Sequence, residues 1–593
     1  MTGPTDDTRE LVPSGLGTGV GARTGAEVDG PAGAAPGPAP VAAGRRGSIA
    51  VAAGILASRL AGLVREVAIS GYLGVGATAD AFKAALRIPN LFQNLLGEGV
   101  LSASFIPVYA KLLDEDEEEA GRVAGAVAGM LCALTAVLVV LGMLLARPLT
   151  VVLTPGFEGE RLDLATDLLR IMFPGLGLLV GSAWCLGVLN SHRRFFLAYV
   201  APVLWNAGQV VVLVAAGVAG ATQAGLATAL AWGVVLGSAL EVAIQLPTVL
   251  QLVGRVRLSL EHRSAPVRSV LSRFVPVVVG RGVVQLLTYV DLVLASLLAV
   301  GAVSGLTYAQ VLYLLPISLF GMSVAAAELP ELSRLGAAGR VAIRERLTGG
   351  LDRISFYVAP TVAIYLVAGD VVVGTLLQRG EFDAADTRLV WFTLGAFSLG
   401  LLGTTRSRLL QNGLYALNRP RLVARIAVLR VAVAAAIGAV LMFPLDRWAI
   451  VGPSVERMGD LGFGPLPEAV RSVLDGPPRL GVIGLALGAA ISSWIEFRLL
   501  HGALQWRIGR FETVGPATRA ALVAAGAIAV LAAGIRSVTH DLPSLVGAAV
   551  VLVPAGATYL AITTSFGVPE AAAIVGRARA LVGGSRGARP GPA

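Results

Sequence analysis

The sequence predicts an all-α polytopic membrane protein of about fourteen transmembrane helices, and three observations predict it. Mean hydropathy is +0.75, with 55% hydrophobic and only 14% charged residues in 593, which is too apolar and too poor in charge for an ordinary soluble chain. Apolar runs of about twenty residues recur between short polar connections, each long enough to cross about 30 Å of hydrocarbon as a helix. The runs are continuous and rich in Leu, Ala and Val rather than alternating apolar and polar, which excludes a barrel.

Residues 1–47 are rich in Gly, Ala, Pro and Thr and have no apolar signal-peptide core, so they are read as a disordered tail. The first span, 48–74, carries Ser58, Arg59, Arg65 and Glu66. Arg59 and Glu66 are seven apart and share a face, whereas Arg65 points about 120° away from Arg59 and needs a partner outside the helix or an interface to snorkel to.

The second span, 78–112, is the most informative. At 3.6 residues per turn Asp80, Lys83, Arg87, Asn94 and Glu98 fall within about 60° of one another, with Asn90 beside them, giving one polar stripe on an apolar rod. Charged groups are costly in hydrocarbon and by default mark a transport path; the plainer reading is that they pair internally and hold helices together. Arg59, Arg65, Lys83 and Arg87 outnumber Glu66, Asp80 and Glu98, and a cavity of that sign suits an anionic head group, since arginine grips phosphate oxygens in bidentate fashion.

The spans 119–146, 161–190, 194–219 and 222–253 follow. The acidic run from Asp114 to Glu119 reads as a solvated loop, and Glu241 with Gln245 is an isolated polar pair. A second set occupies 269–300, 303–334, 351–377, 387–417, 422–445, 480–505, 517–538 and 543–566. Within it Arg281, Asp291, Glu328, Arg406, Arg408 and Glu496 recur once or twice per span. Asp291 sits beside Tyr289 and Thr288, whose oxygens suit a small cation or proton; a protonated or arginine-paired carboxyl is the alternative. Prolines such as Pro89, Pro107, Pro174, Pro202, Pro276, Pro316, Pro330 and Pro360 free carbonyls and bend helices. Residues 446–479 read as a Gly/Pro-rich outer loop too short to fold alone, and 577–593 as a second disordered tail.

With the amino end inside, the inner loops and tails hold most of the Lys and Arg, including Arg193, Arg194, Arg255, Arg257, Arg340, Arg344, Arg346, Arg507 and Arg510, so both termini are expected in the cytoplasm. The net charge of +9 follows from this bias and from attraction to anionic lipid, and no nucleic-acid partner is needed to explain it. Cys132 and Cys185 both fall in spans, so neither a disulfide framework nor a CxxC metal site is available. A nucleotide-binding GxxxxGK[ST] motif is absent.

The run from Ser58 to Lys111, SRLAGLVREVAISGYLGVGATADAFKAALRIPNLFQNLLGEGVLSASFIPVYAK, resembles the opening of the MurJ/MviN family of bacterial lipid II flippases. Further family-like pieces follow in order: TPGF at 154–157, VLNSHRRFFLAYVAPVLWN at 188–206, QLP at 245–247, VDLVLAS at 290–296, ELPELS at 328–333 and LLQRGEFDAAD at 376–386. The resemblance covers about 48–566.

It implies a fold of the multidrug/oligosaccharidyl-lipid/polysaccharide exporter superfamily. Two six-helix lobes, 48–253 and 269–505, would surround a central cavity, and helices 13 and 14 at 517–566 would form a groove for the polyprenyl tail. It also implies that Arg59, Arg65, Glu66, Asp80, Arg87 and Glu98 occupy cavity or second-helix charge positions, and that Asp291 occupies a seventh-helix position associated with sodium. The chain departs from the family where an arginine pair often follows PN-L, having Phe92-Gln93-Asn94, and where Tyr-Ala-Asp-Arg becomes Tyr308-Ala309-Gln310-Val311. The family's FYA-x-x-DT-x-TP stretch is degraded to Leu414-Tyr415-Ala416-Leu417-Asn418-Arg419-Pro420. Lys83, Arg281, Arg406 and Arg408 are the candidates to restore the lost positive charge.

The function implied is translocation of lipid II or a similar polyprenyl-diphosphate lipid across the bacterial cytoplasmic membrane by alternating access. No enzymatic activity and no cofactor is expected, and a sodium ion or the membrane potential would drive the cycle. Export of another polyprenyl-linked oligosaccharide or of drugs is the alternative within transport. A non-transporting scaffold for wall-synthesis proteins is a second, and a glycosyltransferase using Glu381, Asp383 and Asp386 a third.

Overall fold

All fourteen expected spans fall on helical backbone in the computed structural model, which describes residues 45–583 apart from 255, 288, 336–338, 461, 475, 540 and 541. The first span is α1 (Arg45–Leu73), and the second is three pieces, α2 (Ala77–Leu96), α3 (Glu98–Ser104) and α4 (Ile106–Glu115), broken at Gly97 and Phe105. Pro107 stands in the first turn of α4, where its missing N–H costs nothing.

Then come α5 (Glu117–Leu144), α6 (Ala146–Leu153), α7 (Gly159–Ser191), α8 (Phe195–Val218) and α9 (Gln223–Val253). The acidic run before α5 is a helix start rather than only a solvated loop. Asp116 accepts the N–H groups of Glu118 and Glu119 at 3.0 Å, and Glu117, Glu118 and Glu119 place negative charge on the first turn.

The seventh expected span is interrupted, as α10 (Ala265–Leu287) and α11 (Val290–Ser296). The eighth is α12 (Ala302–Pro316), a π-helical stretch (Ile317–Gly321) and α13 (Met322–Leu335). Next come α14 (Arg340–Leu377), kinked at Ala368, α15 (Ala384–Ser398), α16 (Leu401–Ala416) and α17 (Pro420–Leu445). The loop at 446–479 contains a hairpin of β1 (Trp448–Val451) and β2 (Ser454–Arg457) and a short α18 (Glu468–Arg471), local order that its Gly/Pro content did not suggest. The chain ends with α19 (Gly481–Ile508), α20 (Pro516–Val538), α21 (Ser544–Ser565) and α22 (Pro569–Gly583). The tail expected from 577 therefore begins inside a helix.

Among the described residues eleven helices are long and apolar enough to cross a membrane. The other three expected spans are α1, with its charges, and the broken pairs α10–α11 and α15–α16. In packing, α1 lies on α8, α8 on α9, and α7 against α2, α5 and α9, forming one lobe. A second lobe joins α12 and α14 to α15, α13 and α19 to α16, and α17 to α19. The two helices of the seventh span pack differently: α10 on α2, α3, α4 and α5, and α11 mainly on α12, α17 and α19, with a smaller contact to α6. Helices α20 and α21 lie outside the second lobe against α14, through small residues such as Ala359, Ala363, Ala521, Ala524 and Ala555.

Candidate functional site

The charges of α1 and α2 sort into two groups where the lobes meet. Glu66 accepts from Arg65 Nη2 at 2.7 Å and from Lys83 Nζ at 2.5 Å, and all three side chains are buried. Neighbouring residues on a helix do not face each other, yet the arginine is long enough to fold back on Glu66, so Arg65 finds its partner one residue away. Its guanidinium also covers Trp205 on α8 at 4.9 Å, and the Lys83 ammonium covers the Tyr308 ring on α12 at 4.8 Å. Arg59, expected to share its face with Glu66, is half-buried and makes no ion pair among the described residues.

Asp80 is fully buried and bound on every side. Its Oδ1 accepts the N–H and the hydroxyl of Ser304, and its Oδ2 accepts the N–H of Gly301 at 2.8 Å and Arg161 Nη1 at 3.3 Å. This carboxylate of α2 thus closes the N-terminus of α12, where unpaired N–H groups and the helix dipole favour an anion. Gly301 turns the chain there at φ +88°, a conformation that favours glycine. Asp80 therefore joins the lobes, a role that its place on the polar stripe did not reveal.

More contacts cross at the same end. Glu381 N–H donates to Gly71 O at 2.9 Å, Val75 N–H to Asp386 Oδ2 at 3.1 Å and Tyr308 OH to Gly74 O at 3.2 Å. Arg471 of α18 pairs with Glu158 at 2.6 Å. Gly156 lies so close to Ser296 that a Cβ there would be 2.0 Å from its carbonyl oxygen. Asp383 caps α15 through the N–H of Asp386. The Asp386 carboxylate is thus bound into the junction and that of Asp383 caps α15, whereas the Glu381 side chain is exposed and only its backbone N–H joins the contact.

One or two turns further along α2 the contacts thin. Arg87 Nη2 donates to Gln310 Oε1 at 3.1 Å, Gln310 Nε2 donates to Asp291 Oδ2 at 3.5 Å, and Asn94 Nδ2 reaches Gln285 Oε1 at 3.4 Å. Arg87, Asn90, Asn94 and Asp291 all stay partly exposed. The side chains of Glu98 and Arg281 lie outside the described residues. Gln310, standing where the resemblance expects an aspartate, is the neutral link between Arg87 and Asp291, and neither charge nor spacing marked it.

Among the described residues, which do not include Thr288, the groups around Asp291 do not fit a sodium ion. The Tyr289 hydroxyl donates to Arg87 O at 2.6 Å, the nearest amide presents N–H, and the charged groups acting on the carboxylate are Arg87 and Arg430. That is the neighbourhood of a carboxylate balanced by arginine, whereas a hard cation requires converging oxygens. Nor does Arg406 restore charge between the lobes: it lies on the flank of the second lobe, beside Phe497 and Thr513. A shallow, mainly apolar depression of about 530 Å³ lies along α20 at Val530, Leu531, Gly534, Ile535 and Val538, ending at Thr539.

Comparison with known proteins agrees with this architecture. The family described as "Lipid II flippase MurJ" matches residues 69–452. A "Probable lipid II flippase MurJ" of Rhizobium tropici is 32% identical over 411 residues, 67% of this chain and 75% of the relative. A "Lipid II flippase MurJ" of Burkholderia cenocepacia is 30% identical over 506 residues, 81% of this chain and 94% of the relative. In fold, the chain is similar to a solved lipid II flippase MurJ in an inward closed conformation, with TM-score 0.65 and 20% identity over 87% of this chain and 98% of that one. It is also similar to an inward-facing MATE family transporter of the MOP superfamily, with TM-score 0.57 and 15% identity over 78% and 98%. A two-lobed helical fold, a polar seam between the lobes and a family match over residues 69–452 lead to one assignment: the chain belongs to the lipid II flippase MurJ family.

Proposed function

We propose that this chain carries lipid II, or a polyprenyl-diphosphate lipid of the same build, from the inner to the outer leaflet of the bacterial cytoplasmic membrane by alternating access. The observation that carries the reading is Arg87, which reaches from one lobe to the other and, among the described residues, is hydrogen-bonded through its side chain to a neutral amide, Gln310, with Asp291 one step beyond. With Asp80 balanced by Arg161, the cations Arg59, Arg65, Lys83 and Arg87 outnumber Glu66 and Asp291, so a diphosphate is a fitting counter-ion for the seam.

A sugar-peptide diphosphate cannot cross about 30 Å of hydrocarbon unaided, because each charge there costs at least several kcal/mol. A seam of excess cations lowers that cost. The Lys/Arg bias puts both termini in the cytoplasm, which makes the end closed by Asp80 the outer one. The lipid then enters from the inner side, and the contacts of Asp80 and Asp386 must part for its release. One charge moved through 100 mV is worth about 2.3 kcal/mol, so membrane potential alone can bias such a rocking equilibrium.

The test is complementation. A bacterium depleted of its resident flippase should regain growth and outer-leaflet precursor when this chain is expressed, and should lose both with Arg59→Ala or Arg87→Ala. A well-expressed wild-type chain that restores neither would overturn the reading, and full activity of both variants would remove Arg59 and Arg87 from the path of the diphosphate.

A further inference from the structure

On the flank of the second lobe, away from the seam, a cavity of about 410 Å³ is lined by Arg406, Arg498, His501, Thr513, Trp494 and Phe497, among others, where α14, α16 and α19 meet the start of α20. No residue of α1 to α12 lines it. Arg406 is 4% exposed, yet among the described residues no carboxylate is hydrogen-bonded to it. Its Nη2 donates to Thr513 O, its guanidinium covers Phe497 at 5.0 Å, and its Nε has no partner. The carboxylate acting on it, Asp352, already accepts the N–H groups of Gly515 and Thr518 and the Thr518 hydroxyl.

A buried guanidinium with an unused N–H beside a cavity calls for an anion. Arg498 is exposed at the same cavity and adds donors, whereas half-buried His501 already faces Phe511 O through Nε2 at 3.4 Å. The cavity also has an apolar side: Leu402, Trp494 and Leu522 line it, and Trp494 and Leu522 are 36% and 45% exposed on the outer surface of the helices. Thr513 and Val514 precede α20 and Thr518 is in its first turn, which sets the cavity at the level of a membrane-spanning helix end, where phosphate head groups lie.

We infer that this cavity binds the phosphate head group of an anionic glycerophospholipid from the surrounding bilayer, with an acyl chain laid along Trp494 and Leu522. Because no residue of α1 to α12 lines it, its lipid is a resident of the bilayer and not the lipid being moved.

The test uses the purified full chain with phosphatidylglycerol or phosphatidylcholine brominated on the acyl chain, and reads the tryptophan quenching that disappears in Trp494→Phe. Phosphatidylglycerol should quench that component several-fold more than phosphatidylcholine at equal mole fraction, and Arg406→Gln should abolish the difference. Arg498→Gln, on an exposed side chain, should weaken it without disturbing the fold. Equal quenching by the two lipids, or a preference unchanged in Arg498→Gln and in a folded Arg406→Gln, would overturn the proposal. Displacement by an equal mole fraction of polyprenyl diphosphate would also overturn it, by assigning the cavity to the transported lipid.

Discussion

Oδ1 of Asp80 accepts both the backbone N–H and the hydroxyl of Ser304, each at 2.7 Å, across the boundary between the lobes. Because the same carboxylate also takes Gly301 N–H and Arg161, one buried charge on α2 holds the start of α12 and ties one lobe to the other. Removing one member of a buried ion pair costs about 3–5 kcal/mol.

Asp80→Asn should therefore loosen the closed end. A cysteine placed at Val75, beside this junction, should react with a membrane-impermeant maleimide roughly 100-fold faster in the variant, the equivalent of about 3 kcal/mol. An unchanged labelling rate would show that Asp80 does not hold the end shut.

Glu66 serves two cations, so the members of its triad are not equivalent. Glu66→Gln strands Arg65 and Lys83 together, whereas Lys83→Met leaves Glu66 with Arg65. Thermal unfolding should show the larger loss for Glu66→Gln, by about 2 kcal/mol or more. Equal losses would mean that the triad is not a shared ion pair.

The Arg87–Gln310–Asp291 chain should matter for substrate more than for folding. Gln310→Leu removes a hydrogen bond to a charged group, worth about 1.5–3 kcal/mol, and should lower transport roughly tenfold or more. Arg87→Ala should abolish transport while membrane expression stays normal. A flipping assay in vesicles separates these outcomes, and wild-type rates for Arg87→Ala would remove the proposed diphosphate contact.

Asp386, at the loop end of α15, gives the closed end a pH dependence. Burial, and then the neighbouring Asp383, push its carboxyl up to about 7, against the lowering effect of the backbone N–H groups of Val75 and Asp383. Because the folded value lies above the unfolded one, the folded chain holds the extra proton between them. Stability is thus fully present below the unfolded value and falls as pH rises through about 7. Between about pH 6 and pH 8 the loss should be on the order of 1 kcal/mol. Melting temperatures at the two pH values should differ in the wild type and converge in Asp386→Asn; an undiminished difference in the variant would locate the titration elsewhere.

Most of the fold was legible because a helix in hydrocarbon must satisfy its own backbone, which leaves a continuous apolar run for each span. The polar stripe of α2 was legible for the same reason. Its partners were not: Ser304 and Gly301 stand more than 200 residues from Asp80, and neither carries a charge that spacing could reveal. The turn at Gly301, which starts α12 at φ +88°, leaves only a weak mark in an apolar run. Glu66 was legible as a buried charge, but the choice of Arg65 over Arg59 as its partner depends on side-chain length rather than helical angle.

The most direct test of the account is to lock the lobes at the end that Asp80 closes. Glu158 and Arg471 meet across it at 2.6 Å, so Glu158→Cys with Arg471→Cys, in a chain whose Cys132 and Cys185 are replaced by alanine, can be joined by a short reducible crosslinker. Alternating access predicts that crosslinked protein moves no lipid in vesicles and that reduction restores the rate. Undiminished transport by the crosslinked protein would contradict it.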